Sequence, residues 1–133
     1  MEECLKQSGK KPVSEVLLWN DKIRRQAKNR EIKSIFDKGN KYKPSESNPL
    51  VYHLHGDISL PESLVLTETD YIDFVINLSR ENETKILPSV IRSSLTTKSL
   101  LFIGYNFEEI NFLILFSLLF FWLIKIQSLN LTL

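Results

Sequence analysis

Two histidines and an aspartate alternate along one short stretch of this 133-residue sequence, "LVYHLHGD" at residues 50–57. At this spacing the side chains of His53, His55 and Asp57 could lie on one face of a strand. Imidazole and carboxylate groups are metal ligands, so a metal site is one interpretation. No further cluster of ligands lies elsewhere in the sequence, so we predict no metal and a packed or hydrogen-bonded His53. A structural interpretation, in which His55-Gly56-Asp57 is only a polar exit from a strand, stays open.

A second polar turn follows the apolar run "SLLFI" at residues 99–103 and consists of Gly104, Tyr105 and Asn106. Glycine at such a turn permits positive φ and a close approach of backbone to ligand. Asn106 and Glu109 have the spacing of a helix cap, so part of this signal is structural.

The elements that must position these residues are predicted to be short strands alternating with helices. Apolar and β-branched content predicts strands at 13–19, 50–54, 63–67 and 99–105. A helix begins at Thr67, which forms a capping box with Asp70, and another begins at Pro88. This alternation predicts an α/β fold with a doubly wound, Rossmann-like parallel sheet. Ligands of such sheets bind beyond the carboxyl ends of the strands, where both polar turns fall.

Composition and charge narrow the function classes. With 43% hydrophobic and 25% charged residues, the chain has the balance of a globular protein. Residues 1–43 carry 12 basic and 6 acidic residues, whereas residues 44–133 carry 5 and 10. Only Phe36 and Tyr42 offer rings near the basic charges, which favours a solvated surface over a nucleic-acid partner. A single cysteine, Cys4, excludes an internal disulfide, and a polar amino terminus without a secretory signal predicts a cytoplasmic protein.

Four segments resemble, in their order and spacing, the sirtuin-like (silent information regulator two-like) domain, especially its bacterial branch. They are "HLHGD", "LVLTETDYIDF", "LP" and "SLLFIGYNFEEINF". The resemblance spans roughly residues 50–112, with weaker support back to "VSEVLLW" at 13–19.

The resemblance implies a Rossmann-type domain that binds NAD and breaks its nicotinamide–ribose bond. His55 would be the catalytic general base beside the ribose, a role that suits an imidazole because its pKa lies near neutrality. The implied cofactor-binding residues are Gly56, Gly104, Tyr105, Asn106 and Glu109, the last of which stands where the family usually has Asp. Bacterial members more often look like NAD hydrolases, several of them in antiphage defence. The lack of a cysteine quartet for zinc favours this activity over an NAD-dependent protein deacylase.

The sequence also departs from the family pattern, because it contains neither the Gly-rich phosphate loop nor the Asn-x-Asp segment expected before the catalytic histidine. We therefore expect the C-terminal part of a larger domain. Residues 1–49 would be a basic leader and linker with one strand, 50–112 a partial NAD-binding domain and 113–133 an apolar tail. Its partners would be NAD and other domains of a larger parent. Alone, the chain would neither bind NAD well nor turn it over, and a non-catalytic remnant is the alternative.

The apolar run Phe112 to Ile124, interrupted only by Ser117, has three interpretations. A membrane span needs ~20 apolar residues, and this run is thirteen residues long, Ser117 included, before Lys125. A buried core helix would need partners on every side. A frame-shifted or truncated end is favoured, with membrane attachment as the alternative.

Overall fold

The computed structural model describes residues 1–37, 39, 41–80, 86–104, 106, 108–109, 112–113, 116–117 and 120. Along the chain the elements are α1 (Glu2–Gln7), β1 (Val13–Val16), α2 (Asp21–Asn29), β2 (Leu50–His53), a 3-10 turn (Pro61–Ser63), α3 (Glu68–Ser79) and α4 (Ser89–Thr97). The chain divides into two compact units, Met1–Phe74 and Val75–Leu133.

The sheet of the first unit is a parallel pair of short strands. Val13 lies opposite Leu50 and Val16 opposite His53. The backbone N–H of Leu17 donates to the carbonyl of His53 at 2.9 Å, which extends the pairing past the end of β1. Parallel strands need a crossover connection, and α2 lies in that connection here. The fold is α/β, consistent with part of a Rossmann-like sheet, and both strands lie within the ranges predicted for them.

Helix α2 supplies one side of the core of this unit. Its amino terminus is capped by Asn20, whose side-chain oxygen accepts from the backbone N–H of Ile23 at 2.8 Å. Ile23 and Ala27 lie on one face, four residues apart, and are buried. The apolar side chains buried in this unit are Leu17, Trp19, Ile23, Ala27, Leu60 and Phe74. Each large one contributes roughly 1.5–3 kcal/mol of burial free energy.

Helix α1 is joined to the sheet through one carboxylate. Oε1 of Glu2 accepts from the hydroxyl of Ser14 and lies 2.8 Å from Nε2 of His53. The hydrogen bond from Ser14, followed by that from His53, holds the pKa of the Glu2 carboxyl below its usual value. The amino-terminal helix is therefore anchored to β1 at Ser14 and to the end of β2 at His53, just before the His55 turn.

Both predicted helices are present. The backbone N–H of Thr67 donates to the Asp70 carboxylate at 2.9 Å, and the N–H of Asp70 donates to the Thr67 hydroxyl at 3.1 Å. This reciprocal pair is the predicted capping box at the start of α3. Helix α4 follows Pro88, as expected for a proline at a helix start, and Leu87 immediately before it is buried.

The strand predicted at 63–67 was wrong. Ser63 ends a 3-10 turn that begins at Pro61, residues 64–66 are irregular, and Leu66 is exposed. One backbone bond joins this segment to the turn after β2: the N–H of Val65 donates to the carbonyl of His55 at 3.1 Å. Apolar residue types alone do not specify whether a segment finds a partner for a complete ladder.

The strand predicted at 99–105 was also wrong over its described part. Residues 99–103 are irregular, and Leu101 and Ile103 are 83% and 69% exposed. Tyr105 lies outside the described residues. A strand buried on both faces needs neighbouring strands and covering helices. The sheet formed by the described residues has only two strands, β1 and β2.

The second unit contains an aromatic cluster formed by Phe102, Phe112, Phe116 and Phe120. The ring centroids of Phe102 and Phe112 are 5.4 Å apart, and those of Phe112 and Phe116 are 5.8 Å apart. Phe112 is buried, whereas Phe120 is exposed. Residues 114, 115, 118, 119 and 121–124 of the apolar run predicted as a tail lie outside the described residues. Within the part of the chain that is described, no helix is both long and apolar enough to cross a membrane.

Candidate functional site

The backbone turn after β2 is shaped by one glycine. The strand ends at His53, and the chain then turns through His55 and Gly56, whose φ is +93°. A Cβ at Gly56 would overlap the backbone of Ser63 and Leu64. Glycine is therefore required here twice, for its positive φ and for the close approach of the 3-10 turn.

A fully buried serine holds this turn from the other side. The hydroxyl of Ser63 donates to the carbonyl of Leu60 at 2.6 Å and accepts from the backbone N–H of Asp57 at 3.0 Å. The carbonyl of Ser63 accepts from the indole N–H of Trp19 at 2.9 Å. The turn that carries His55 and Gly56 is thus tied to the 3-10 turn and, through Trp19, to the segment that follows β1.

The His55 ring lies against aromatic side chains of α3. Its centroid is 4.9 Å from that of Phe74, with the planes at 75°, and 6.4 Å from that of Tyr71. Phe74 is itself buried and makes an edge-on contact with Trp19 at 5.9 Å. His55 nevertheless remains exposed as a residue. The imidazole is therefore supported by a fixed apolar surface and accessible to solvent.

The apolar surroundings favour the neutral form of this histidine. Partial burial of the imidazole lowers the pKa of His55, because desolvation disfavours its charged form. Burial raises the pKa of Tyr71 for the same reason, because desolvation also disfavours the charged phenolate. A neutral imidazole held in place can accept a proton from a hydroxyl group or a water molecule that comes within hydrogen-bond reach.

His53 and Asp57 have different surroundings from His55. Nε2 of His53 lies 2.8 Å from Oε1 of Glu2 and 3.9 Å from Oδ2 of Asp57. Oδ1 of Asp57 accepts from the N–H of Ser59 at 2.8 Å, and hydrogen bonding to Ser59 lowers the pKa of the Asp57 carboxyl. His53 is thus hydrogen-bonded at the strand end. Within the described ranges, no three His, Cys, Asp or Glu side chains come together in a way that could hold a metal ion.

A shallow pocket lies at the carboxyl ends of both strands. Its volume is about 140 Å³, and its lining includes Val16, Lys33, His53 and Asp57. This volume is below the roughly 300–1,000 Å³ of typical small-molecule sites. The pocket is therefore too small to enclose a dinucleotide.

The second predicted turn belongs to the second unit. Gly104 has a φ of +75°, and no heavy atom lies within 4 Å of an added Cβ. The side-chain oxygen of Asn106 accepts from the N–H of Glu108 at 3.1 Å, and its carbonyl accepts from the N–H of Glu109 at 3.2 Å. Asn106 therefore closes a turn on its own backbone, as its residue type favours. Gly104, Asn106 and Glu109 are all exposed.

Sequence reasoning missed the supporting residues Ser63 and Trp19. Ser63 was interpreted as the start of a strand, and Trp19 as part of a buried strand. One signal was available for Trp19, because a buried indole N–H normally finds a hydrogen-bond acceptor. Its acceptor lies 44 residues further along the chain, a distance over which residue types give no guidance.

A family of known proteins matches most of the chain. The family model of the SIR2-like domain matches residues 1–119, a range that extends on both sides of residues 50–112. No curated protein and no solved structure matches the chain. The turn around His55 and the strands that lead to it all lie within the matched range. Since that range covers most of the sequence, the chain belongs to the SIR2-like domain family.

Proposed function

We propose that this chain carries the histidine side of an NAD-cleaving site, with His55 as the general base at the nicotinamide-bearing ribose. The SIR2-like family is NAD-related. The observation that carries the proposal is an accessible imidazole of lowered pKa, held between the Gly56 turn and the Phe74 ring. A base that is neutral at physiological pH is ready to accept a proton without first losing one.

The proposed reaction is hydrolysis of the bond between nicotinamide and ribose. The C–N bond breaks with its electron pair going to nicotinamide, and a water oxygen bonds to the anomeric carbon. His55 accepts the proton that the attacking water, or a ribose hydroxyl beside it, gives up. The products are nicotinamide and ADP-ribose, and His55 returns its proton to solvent.

Hydrolysis is favoured over acyl transfer from lysine. The zinc module of deacylating family members needs four cysteines, and this sequence has one, Cys4. NAD loss should therefore not depend on an acylated peptide. A rate that rises only when acyl-lysine peptide is added would reverse this choice.

The cofactor contacts are proposed at both turns, at Gly56, Gly104, Tyr105, Asn106 and Glu109. The exposed carboxylate of Glu109 can accept hydrogen bonds from ribose hydroxyl groups. Because the 133 residues contain no Gly-rich phosphate loop, the contacts to the pyrophosphate are missing from this set. We therefore expect weak NAD binding by the chain alone.

The first test replaces His55 by Ala and uses His53→Ala as its matched control, since both residues lie at the end of the same strand. Nicotinamide release is measured for this chain and for any longer native polypeptide that contains it. Loss of a general base should lower the rate by roughly 10²–10⁴, with an unchanged circular dichroism spectrum, whereas His53→Ala should keep most of the rate. Equal rates in wild type and His55→Ala, in a polypeptide whose wild type releases nicotinamide, would overturn the proposal. So would NMR signals of the His55 ring that do not shift on addition of millimolar NAD, both in the wild-type chain and in the longer wild-type polypeptide.

For the cellular role we propose bacterial antiphage defence in the cytoplasm, which the family resemblance implies. Cells that carry the wild-type chain in its native polypeptide should lose NAD after phage infection, and cells with His55→Ala should not. NAD levels that stay the same in both strains would argue against this role.

A further inference from the structure

The contacts around His55 form a closed series that returns to its starting residue, Trp19. The indole N–H of Trp19 donates to the carbonyl of Ser63, and the backbone of Ser63 lies against Gly56. The His55 ring lies against Phe74, and Phe74 returns to Trp19 through an edge-on ring contact at 5.9 Å. His55 is therefore held at its backbone by the contact between Gly56 and Ser63 and at its imidazole by Phe74. Trp19 contacts both Ser63 and Phe74.

The hydroxyl of Ser63 supplies side-chain hydrogen bonds within this series of contacts. Ser63 is completely buried, and its hydroxyl satisfies both the N–H of Asp57 and the carbonyl of Leu60. An alanine here would leave the part-buried N–H of Asp57 without its acceptor, which costs more than the loss of an ordinary exposed hydrogen bond. The carbonyl of Leu60 would keep the backbone N–H of Ser63, at 2.8 Å, as its donor. Alanine would pack equally well at this position. What the hydroxyl group adds is therefore its hydrogen bonds to the turn.

We propose that Ser63, supported by the indole N–H of Trp19, is a positioning residue that holds the His55 imidazole against Phe74 in the orientation that proton transfer requires. Neither residue needs to contact the substrate. The catalytic part of this inference rests on the proposed function of His55, whereas the positioning part does not.

The first experiment needs no NAD. The ring signals of His55 are titrated with pH by NMR in the full chain, in wild type and in Ser63→Ala. With the turn released, the ring should leave the Phe74 surface and its pKa should rise toward the ordinary value of about 6.5. The matched control is Ile23→Val, which trims the same core without removing a hydrogen bond from the turn. It should lower the melting temperature and leave the His55 titration unchanged.

Two further variants keep the test decisive if Ser63→Ala does not fold. Trp19→Phe removes the donor to the Ser63 carbonyl and retains an aromatic ring beside Phe74. It should shift the His55 titration in the same direction by a smaller amount. Ser63→Thr retains the hydroxyl group and should titrate like wild type. An unchanged His55 titration in Ser63→Ala, or in Trp19→Phe if only that variant folds, would overturn the proposal.

The second experiment separates this inference from the proposed function. In a form that consumes NAD, Ser63→Ala should lower kcat by about 10- to 100-fold with little change in KM, because displaced groups lose rate before they lose binding. If the titration shifts while kcat and KM stay at wild-type values, the catalytic part of the inference fails. If His55→Ala also leaves NAD loss unchanged, the general-base assignment fails and the positioning of the ring remains.

Discussion

The His55 imidazole and the Gly56 backbone depend on each other. Gly56 lets the chain pass within contact of Ser63, and that passage places His55 beside Phe74. The sequence was enough to single out His55 and Gly56 as candidate site residues, because a histidine and a glycine directly after an apolar strand are local features. It did not indicate Ser63, whose importance comes from the atoms that fold around it.

Replacing Gly56 should therefore lower the free energy of unfolding by more than the strain of a positive φ alone. Gly9 is the matched control, since its φ is +79° and no heavy atom lies within 4 Å of an added Cβ. Both Gly→Ala changes force an L-residue into positive φ, at about 1–2 kcal/mol, and Gly56→Ala adds steric overlap worth about 1–3 kcal/mol more. Urea unfolding of the two variants measures the difference. Equal losses of stability would mean that the turn relaxes away from Ser63.

Elements defined by local bonds were predictable, and elements defined by distant partners were not. The Thr67 and Asp70 capping box is contained in four residues, and it starts α3 as predicted. The run at 99–103 has the composition of a central strand, but strand formation also needs neighbours, and this run is irregular. The same holds for the run at 63–67, which starts at the last residue of a 3-10 turn and continues as irregular backbone over 64–66. Sequence thus predicted the fold class and two strands, but not which apolar runs join the sheet.

The capping box also gives a prediction for α3. Thr67→Ala removes the hydroxyl that accepts from the N–H of Asp70, and N-cap losses of this kind cost about 1 kcal/mol. Thr69→Ala changes the same residue type two positions later in an exposed place and should cost much less. Chemical denaturation followed by far-ultraviolet circular dichroism compares the two. A larger loss in Thr69→Ala would show that the first turn of α3 is held in another way.

The pH dependence of stability is a property of the whole molecule, because groups in several elements contribute to it. Folding lowers the pKa of His55 through desolvation and the pKa values of Glu2 and Asp57 through hydrogen bonds. In each case the unfolded chain binds protons more readily than the folded chain, so stability falls as pH decreases. Burial raises the pKa of Tyr42 and Tyr71, so the unfolded chain ionises first as pH rises.

We therefore expect a stability plateau between about pH 7 and pH 10. The His55 contribution is complete above its ordinary pKa of 6.5 and is lost as pH falls below that value. The Glu2 and Asp57 contributions are lost further down, below 4.5 and 3.8, and the tyrosine contribution is lost above 10.0. Thermal melts from pH 3 to pH 11 test this, and His55→Ala should flatten the step below pH 6.5. An unaltered step in that variant would assign it to another group.

The parallel pairing of β1 with β2 has a consequence for the order in which the molecule is made. Residues 17–49 must leave the ribosome before Val13–Val16 can meet Leu50–His53, so the first strand waits without its partner. Contacts this far apart in sequence also slow folding. The turn after β2 must then wait for Ser63, and its aromatic support must wait for Phe74. While His55 has emerged from the ribosome and Phe74 has not, the nascent chain carries the histidine without the aromatic surface that supports its ring in the folded protein.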